Sequence, residues 1–193
     1  MNLKRLLDIV LGGALLAICL VPGLLIALLI RLDSPGPVLF RQQRIGYNGR
    51  PFRILKFRTM HVLEDGAQVI QARRRDPRVT RIGRMLRALS LDELPQLLNV
   101  LAGDMSLVGP RPHAAAHDVY YGELIRNYAY RRRVRPGITG WAQIHGARGE
   151  TPKLSDMQTR IDLDAWYVDH GSLALDLMIL ARTPVEILRG SRD

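Results

Sequence analysis

One cysteine, Cys19, stands in 193 residues, and it lies inside the most apolar stretch of the chain. No disulfide can therefore form within the chain, and nothing demands an oxidising compartment. Five scattered histidines with a single cysteine give no structural zinc spacing. Repeats and low-complexity tracts are missing, and the length suits one core-burying domain, or one domain plus an appended segment, with no added regulatory domain. Acidic residues are also short: 18 Asp and Glu face 28 Lys and Arg, a net charge of +10. That imbalance points to an anionic partner: nucleic acid, an acidic membrane surface or a phosphorylated small molecule. No helix-turn-helix, zinc-finger or RNA-recognition signature accompanies the basic segments, so nucleic acid is not expected as a partner.

Charge is absent altogether from Ile9 to Ile30. Roughly 22 apolar residues are enough for one membrane crossing at about 1.5 Å each. The run is too long for a cleaved signal peptide, and no small-residue cleavage site follows it. Pro22-Gly23 sits near its middle, where proline removes a backbone donor and clashes with the preceding turn. Basic residues flank both ends, Lys4 and Arg5 before and Arg31, Arg41 and Arg44 after. Cationic flanks stay in the cytoplasm, so both ends belong on one side. A helix that enters, bends at Pro22 and returns meets both observations; a bitopic span with a proline kink is the competing reading.

Asp33-Ser34-Pro35-Gly36-Pro37 turns the chain out of this segment. Val38 to Ile45 and Phe52 to Thr59 then read as two strands joined at Tyr47-Asn48-Gly49, an Asn-Gly hairpin signal. Arg41, Arg44, Arg53, Lys56 and Arg58 crowd this ribbon, either as a solvated edge or as a basic face toward phosphates. Glu64 to Arg75 reads as a helix. Arg78 to Leu89 reads as a basic amphipathic helix, with Ile82, Met85, Leu86 and Leu89 on one face.

The stretch that organises the chain is Leu89 to Pro112, LSLDELPQLLNVLAGDMSLVGPRP. Two adjacent carboxylates, Asp92 and Glu93, follow Arg81, Arg84 and Arg87, and Asp104 and the proline-bracketed Arg111 come after. Carboxylates beside guanidinium groups suit chemistry on a phosphate, where one acid attacks and the basic groups hold the anion. The rival explanation is structural: Ser90 as N-cap, with Glu93 three residues on, completes a capping box. Asp92 would then lie in a first turn, where the helix dipole favours negative charge and a phosphate binds readily.

Downstream, His113 to Tyr130 reads as a helix with Tyr120, Tyr121, Tyr128 and Tyr130 near the surface. His113 and His117 share an i, i+4 spacing but no Glu-flanked motif, and are read as surface or pocket lining. Arg131, Arg132, Arg133 and Arg135 read as a headgroup-facing cationic patch. Arg148 and Glu150, in HGARGET, are candidates for holding a nucleotide or sugar. Met157 to Asp169 reads as a helix, and Leu173 to Leu188 is apolar enough to line the membrane interface or close the core.

KFRTM (Lys56 to Met60), the Leu89–Pro112 stretch and RPGITGWAQ (Arg135 to Gln143) together resemble the bacterial monotopic phosphoglycosyl transferases, over nearly the full chain. The resemblance implies an α+β, mostly helical fold: a re-entrant membrane helix hairpin over 1–32, broken at Pro22, and a catalytic domain over 33–193. That domain would carry a small β-hairpin and amphipathic interfacial helices on the cytoplasmic face of the bacterial inner membrane. It implies transfer of a hexose-1-phosphate from a UDP-sugar to undecaprenyl phosphate, with Mg²⁺ and release of UMP, at the first membrane step of exopolysaccharide or other glycoconjugate synthesis. Asp92 would attack the sugar-bearing phosphate and touch the metal, and Glu93 would assist the lipid phosphate or the metal. Arg87 and Arg111 would contact phosphate, with Lys56 and Arg58 supporting. The RGET string (Arg148 to Thr151) is similar to that of hexose-using members, which favours UDP-glucose or UDP-galactose. Apolar surface on the C-terminal helix leaves a homodimer open. A non-catalytic membrane-attached scaffold, binding anionic lipid or a partner enzyme, is the alternative from another class.

Overall fold

The computed structural model describes residues 3–61 and 76–190, so the helix expected over Glu64–Arg75 lies outside the described residues. The apolar N-terminus forms α1, Leu3–Asp33, with Pro22 inside it. Its backbone stays helical through Pro22, and an internal proline can kink a helix without ending it.

The two ends of α1 are held by the same domain. At the N-terminal end, Lys4 Nζ lies 2.5 Å from Asp176 and 3.0 Å from the Val108 carbonyl. Arg5 donates to the carbonyls of Val100 and Leu101. The buried Asp8 carboxylate accepts from Ser106 Oγ and Leu107 N, both at 2.9 Å. At the other end, Ile26 and Ile30 pack with Phe57 and Leu86, and Asp33 accepts from the Ile82 amide at 3.1 Å. Between these anchors Ile18, Val21, Leu24, Leu25 and Leu28 are exposed. By length and composition the helix is apolar enough to cross a membrane.

Strands β1 (Leu39–Ile45) and β2 (Pro51–Phe57) form the expected antiparallel hairpin, with Leu39 opposite Phe57 and Gln42 opposite Ile54. Its turn holds Asn48 and Gly49 at positive φ, which explains the Asn-Gly pair. Helix α2 (Arg81–Ala88) follows, its start capped by Thr80, whose side chain accepts from the Gly83 amide. After α3 (Gln96–Ala102), β3 (Ser106–Val108) pairs in parallel with β4 (Gly137–Thr139). Gly109 and Gly137 meet beside this pair so closely that a Cβ on Gly137 would lie 2.1 Å from the Gly109 nitrogen. Only glycine permits that approach.

The expected helix over His113–Tyr130 is shorter: α4 spans Ala115–Leu124, and a 3₁₀ turn covers Tyr128–Arg133. Tyr128 is a core residue rather than a surface one, packed with Ile125, Met157 and Ile161. Its hydroxyl is satisfied by buried polar partners, which removes the usual cost of burying it. Helix α5 (Trp141–Ile144) leads to α6 (Leu154–His170) and α7 (Leu173–Gly190). The main core joins Ile54, Leu97, Val100, Leu107, Ile144, Tyr167 and Ile179 from six elements. Helix α7 both closes this core through Ile179 and leaves Leu177, Val185 and Leu188 exposed.

Candidate active site

Asp92 and Glu93 lie on a single 3₁₀ turn, Leu91–Glu93, between α2 and α3, and only 8% and 7% of their surface is exposed. The capping box is not formed. Ser90 is left-handed (φ 57), whereas an N-cap needs an extended backbone, and its side chain caps nothing. Pro95 then starts α3 without offering an amide. The Ser90 hydroxyl instead accepts from Arg148 Nη2.

The two carboxylates differ in what they touch. Arg111 forks onto Glu93: Nη1 lies 3.0 Å from Oε2, and Nη2 bonds Oε1. Lys56, carried in by β2, adds a bond to Glu93 Oε1 at 3.1 Å. Asp92 has only Lys56, at 3.7 Å, and its carboxylate accepts no hydrogen bond among the described residues. Burial alone would raise the Glu93 carboxyl, but Arg111 and Lys56 overcome it and hold it well below the usual carboxylate range. Burial wins at Asp92, whose carboxyl is raised although Lys56, Arg111 and Arg87 pull it down. Burial also lowers the Lys56 ammonium, with the Glu93 charge opposing. One acid is thus neutralised and fixed, and the other keeps its lone pairs.

Arg111 owes its place to its backbone. Pro110 and Pro112 restrict the chain on both sides. Three successive carbonyls are each tied by a different element: Pro110 to the Gly137 amide at 2.9 Å, Arg111 to the Arg131 guanidinium, and Pro112 to Arg44 at 3.0 Å. Arg131 is buried and also contacts Asp164 at 2.9 Å and His113 Nδ1 at 2.8 Å. Guanidinium only donates, so His113 Nδ1 accepts, and the ring is the neutral Nε2–H tautomer. Burial, and then the charges of Arg131 and Arg160, hold the His113 pKa well below its ordinary value.

Of the residues expected to act together, Asp92, Glu93, Lys56, Arg111 and Arg148 converge. Arg87 is half-buried one turn upstream, close enough for its charge to reach Asp92. Arg58 does not join them. Its guanidinium is spent on the carbonyls of Ile30, Ser34 and Pro35, where it closes the end of α1, so the supporting phosphate contact expected of it does not fit. Glu150 is exposed and lines a groove of about 280 Å³ with His145, Arg148, Thr151 and Arg160. Asp104 is exposed at the far end of α3.

The Arg131–Arg135 run is not one surface patch. A 3₁₀ turn rotates successive side chains by about 120°. Arg131 accordingly goes inward to Asp164, Arg132 reaches Asp118 at 3.6 Å and Arg133 lies over the Tyr130 ring, while Arg135, beyond the turn, bonds the Gly103 carbonyl. Sequence reasoning missed Arg44, Arg131 and Arg160 as part of the site's frame. A signal existed for Arg160: with Asp164 it occupies the buried face of α6 beside Met157 and Ile161, where apolar side chains are the rule.

Among the described residues no group of three or more His, Cys, Asp or Glu side chains is placed to hold a metal ion. Asp92 is the site carboxylate with uncommitted oxygens. That donor set fits Mg²⁺, which binds through one or two carboxylates completed by phosphates and water.

Residues 1–190 match the family described as bacterial sugar transferase. A UDP-glucose:undecaprenyl-phosphate glucose-1-phosphate transferase of Caulobacter vibrioides is 57% identical, over 96% of this chain and 69% of its own. One of the same description from Escherichia coli is 51% identical, over 94% of this chain but 39% of its own. The exopolysaccharide production protein PSS of Rhizobium leguminosarum is 48% identical over 97% and 96% of the two chains. This chain thus spans well under half of the Escherichia coli relative and nearly all of the Rhizobium one. The chain belongs to the bacterial sugar transferase family.

Proposed function

We propose that the protein moves a hexose-1-phosphate from a UDP-sugar, UDP-glucose or UDP-galactose first, to undecaprenyl phosphate through a covalent intermediate on Asp92. The observation that carries the reading is the asymmetry of the dyad. Glu93 is held ionised and occupied by Arg111 and Lys56, while Asp92 has unused lone pairs and a basicity raised by burial. An Asp92 oxygen bonds to the sugar-bearing phosphorus, the bond from that phosphorus to the bridging oxygen breaks, and UMP leaves with the electron pair. An oxygen of undecaprenyl phosphate then bonds to the same phosphorus and Asp92 departs, so two easier steps replace one. Arg111, Lys56 and Arg87 supply the cationic side of the phosphate site. Mg²⁺, held by Asp92 and the diphosphate, would screen charge between carboxylate and substrate.

The same reading sets the protein on the cytoplasmic face of the inner membrane without crossing it. Lys4, Arg5 and Asp8 at one end of α1, and Ile30 and Asp33 at the other, all bind one domain, while the exposed apolar face between them meets lipid. A helix crossing the bilayer would separate its ends by about 30 Å of hydrocarbon. The scaffold alternative gains no support from a buried, asymmetric acid pair.

The test is direct. Purified protein with Mg²⁺ and UDP-glucose or UDP-galactose should release UMP and gain the mass of a hexose phosphate at Asp92. Undecaprenyl phosphate should discharge that adduct. UMP release without an adduct, or an adduct that survives in Asp92→Asn, would remove Asp92 as nucleophile.

A further inference from the structure

The groove beside the dyad, formed by the loop after α5 and the first turns of α6, has an end with two arginines that lack carboxylate partners among the described residues. Among the described residues, Arg148 bonds only the Ser90 hydroxyl, two residues before Asp92. Arg160 is 5% exposed and among the described residues bonds only the carbonyls of Ala147 and Gly149, each at 2.9 Å. Neither set uses up the five donors of a guanidinium. A cation drawn partly or wholly out of water without an anion is unfavourable, and a phosphate is the natural complement of two guanidinium groups.

Further along the groove stands His145. Its Nδ1–H donates to the Trp141 carbonyl at 2.9 Å, which fixes the ring. Trp141 lies 3.9 Å away between centroids and is itself stacked on Trp166. The result is an exposed, rigid and backed flat surface, the kind on which a nucleobase stacks.

We infer that this groove binds the nucleoside monophosphate half of the donor, with its phosphate on Arg148 and Arg160 and its base against His145. The inference rests on the transferase reading and adds which half of the donor goes where. Charge decides between the halves. When Asp92 attacks the sugar-bearing phosphate, negative charge develops on the leaving nucleotide, whereas the hexose stays neutral. The two unpaired arginines therefore match the leaving group, and they stabilise it most as the bond breaks. Glu150 and Thr151 line the same groove and carry oxygens that suit ribose hydroxyls. Burial, and then the charge of Arg111, lower the Arg160 guanidinium to about 10 and lower Arg148 as well, a strain that an anion between them relieves.

Calorimetric titration of the full chain in detergent, without acceptor, tests this with UMP, uridine and glucose 1-phosphate. UMP should bind at least 10-fold tighter than uridine, and glucose 1-phosphate should not displace it. His145→Ala should weaken UMP by about 5- to 100-fold, the range for losing one base stack, and His145→Phe should recover most of that. Arg148→Gln should shrink the gap between UMP and uridine. No UMP binding, displacement by glucose 1-phosphate, or unchanged affinity in His145→Ala would overturn the assignment. Turnover of the wild-type chain separates the two claims: UMP release with His145-independent UMP binding sinks only the groove, and neither UMP release nor an adduct sinks the transferase reading.

Discussion

Two kinds of buried or half-buried arginine share this small domain. Arg111 and Arg131 face carboxylates, Glu93 and Asp164. Arg44, Arg58, Arg148 and Arg160 face only neutral oxygens among the contacts of the described residues. The first kind is a closed unit: removing either member strands a charge, so the pair mainly fixes geometry. The second kind divides again. Arg58 has three carbonyls and works as a strut for α1, while Arg148 and Arg160 retain donors and line an open groove beside the nucleophile. What an arginine faces, more than its presence, separates frame from substrate contact.

The largest effect should come from the acid that lacks a strong partner. Asp92→Asn removes the attacking lone pair and should lower turnover by about 10³-fold or more, with the intermediate undetectable by mass. Thermal stability should hold, because Asp92 makes no strong contact to lose. Glu93→Gln should behave oppositely, lowering both the melting temperature and activity, since Arg111 and Lys56 lose their shared partner. Equal melting temperatures for the two variants would mean that the two acids are held alike.

Next in size is the closed pair behind the site. Arg131→Met leaves Asp164 buried and uncompensated, and should cost about 3–5 kcal/mol by chemical denaturation. Arg58→Met, which leaves three carbonyls without a donor but no stranded charge, should cost less. Arg148→Gln should reverse the pattern, changing stability by about 0.5 kcal/mol or less while slowing UMP release by about 10- to 100-fold. If Arg148→Gln lowers stability by several-fold more than this and leaves the rate of UMP release intact, Arg148 is frame and not substrate contact.

The sequence made parts of this legible. The Asn-Gly turn between alternating strands, the apolar N-terminal run, the adjacent acids and the proline-bracketed Arg111 are local signals, and each lies where local rules put it. What failed was also local in appearance. Ser90 and Glu93 have the spacing of a capping box, but a bidentate, charge-assisted bond from Arg111, 18 residues away, outweighs a cap worth about 1 kcal/mol. The basic run at 131–135 read as one patch because spacing carries no direction; a 3₁₀ turn sends its members to different partners. Arg131 with Asp164, and Arg44 with the Pro112 carbonyl, join residues 33 and 68 positions apart. No periodicity encodes such pairings, since they exist only once the helices have packed.

The smallest effect, and the finest test of the closed kind, is the pH dependence carried by His113. Its folded pKa is depressed by burial and by the arginines around it, so the native state leaves it neutral where the unfolded chain takes a proton. The sign follows: stability from this group is full above the unfolded value of about 6.5 and declines as pH falls below it, at up to about 1.4 kcal/mol per pH unit. Asp92, Asp118 and Asp164, all raised by burial, act in the opposite direction, because the fold holds their protons more tightly than the unfolded chain. The depressed Glu93 loses its stabilisation only below about pH 4.3, outside the histidine window. Comparing wild type with His113→Gln between pH 7.5 and 5.5 therefore isolates one group. The wild type should lose stability relative to the variant by about 1 kcal/mol on acidification. Parallel curves would mean that His113 can accept a proton in the fold, which the donation from Arg131 to its Nδ1 forbids.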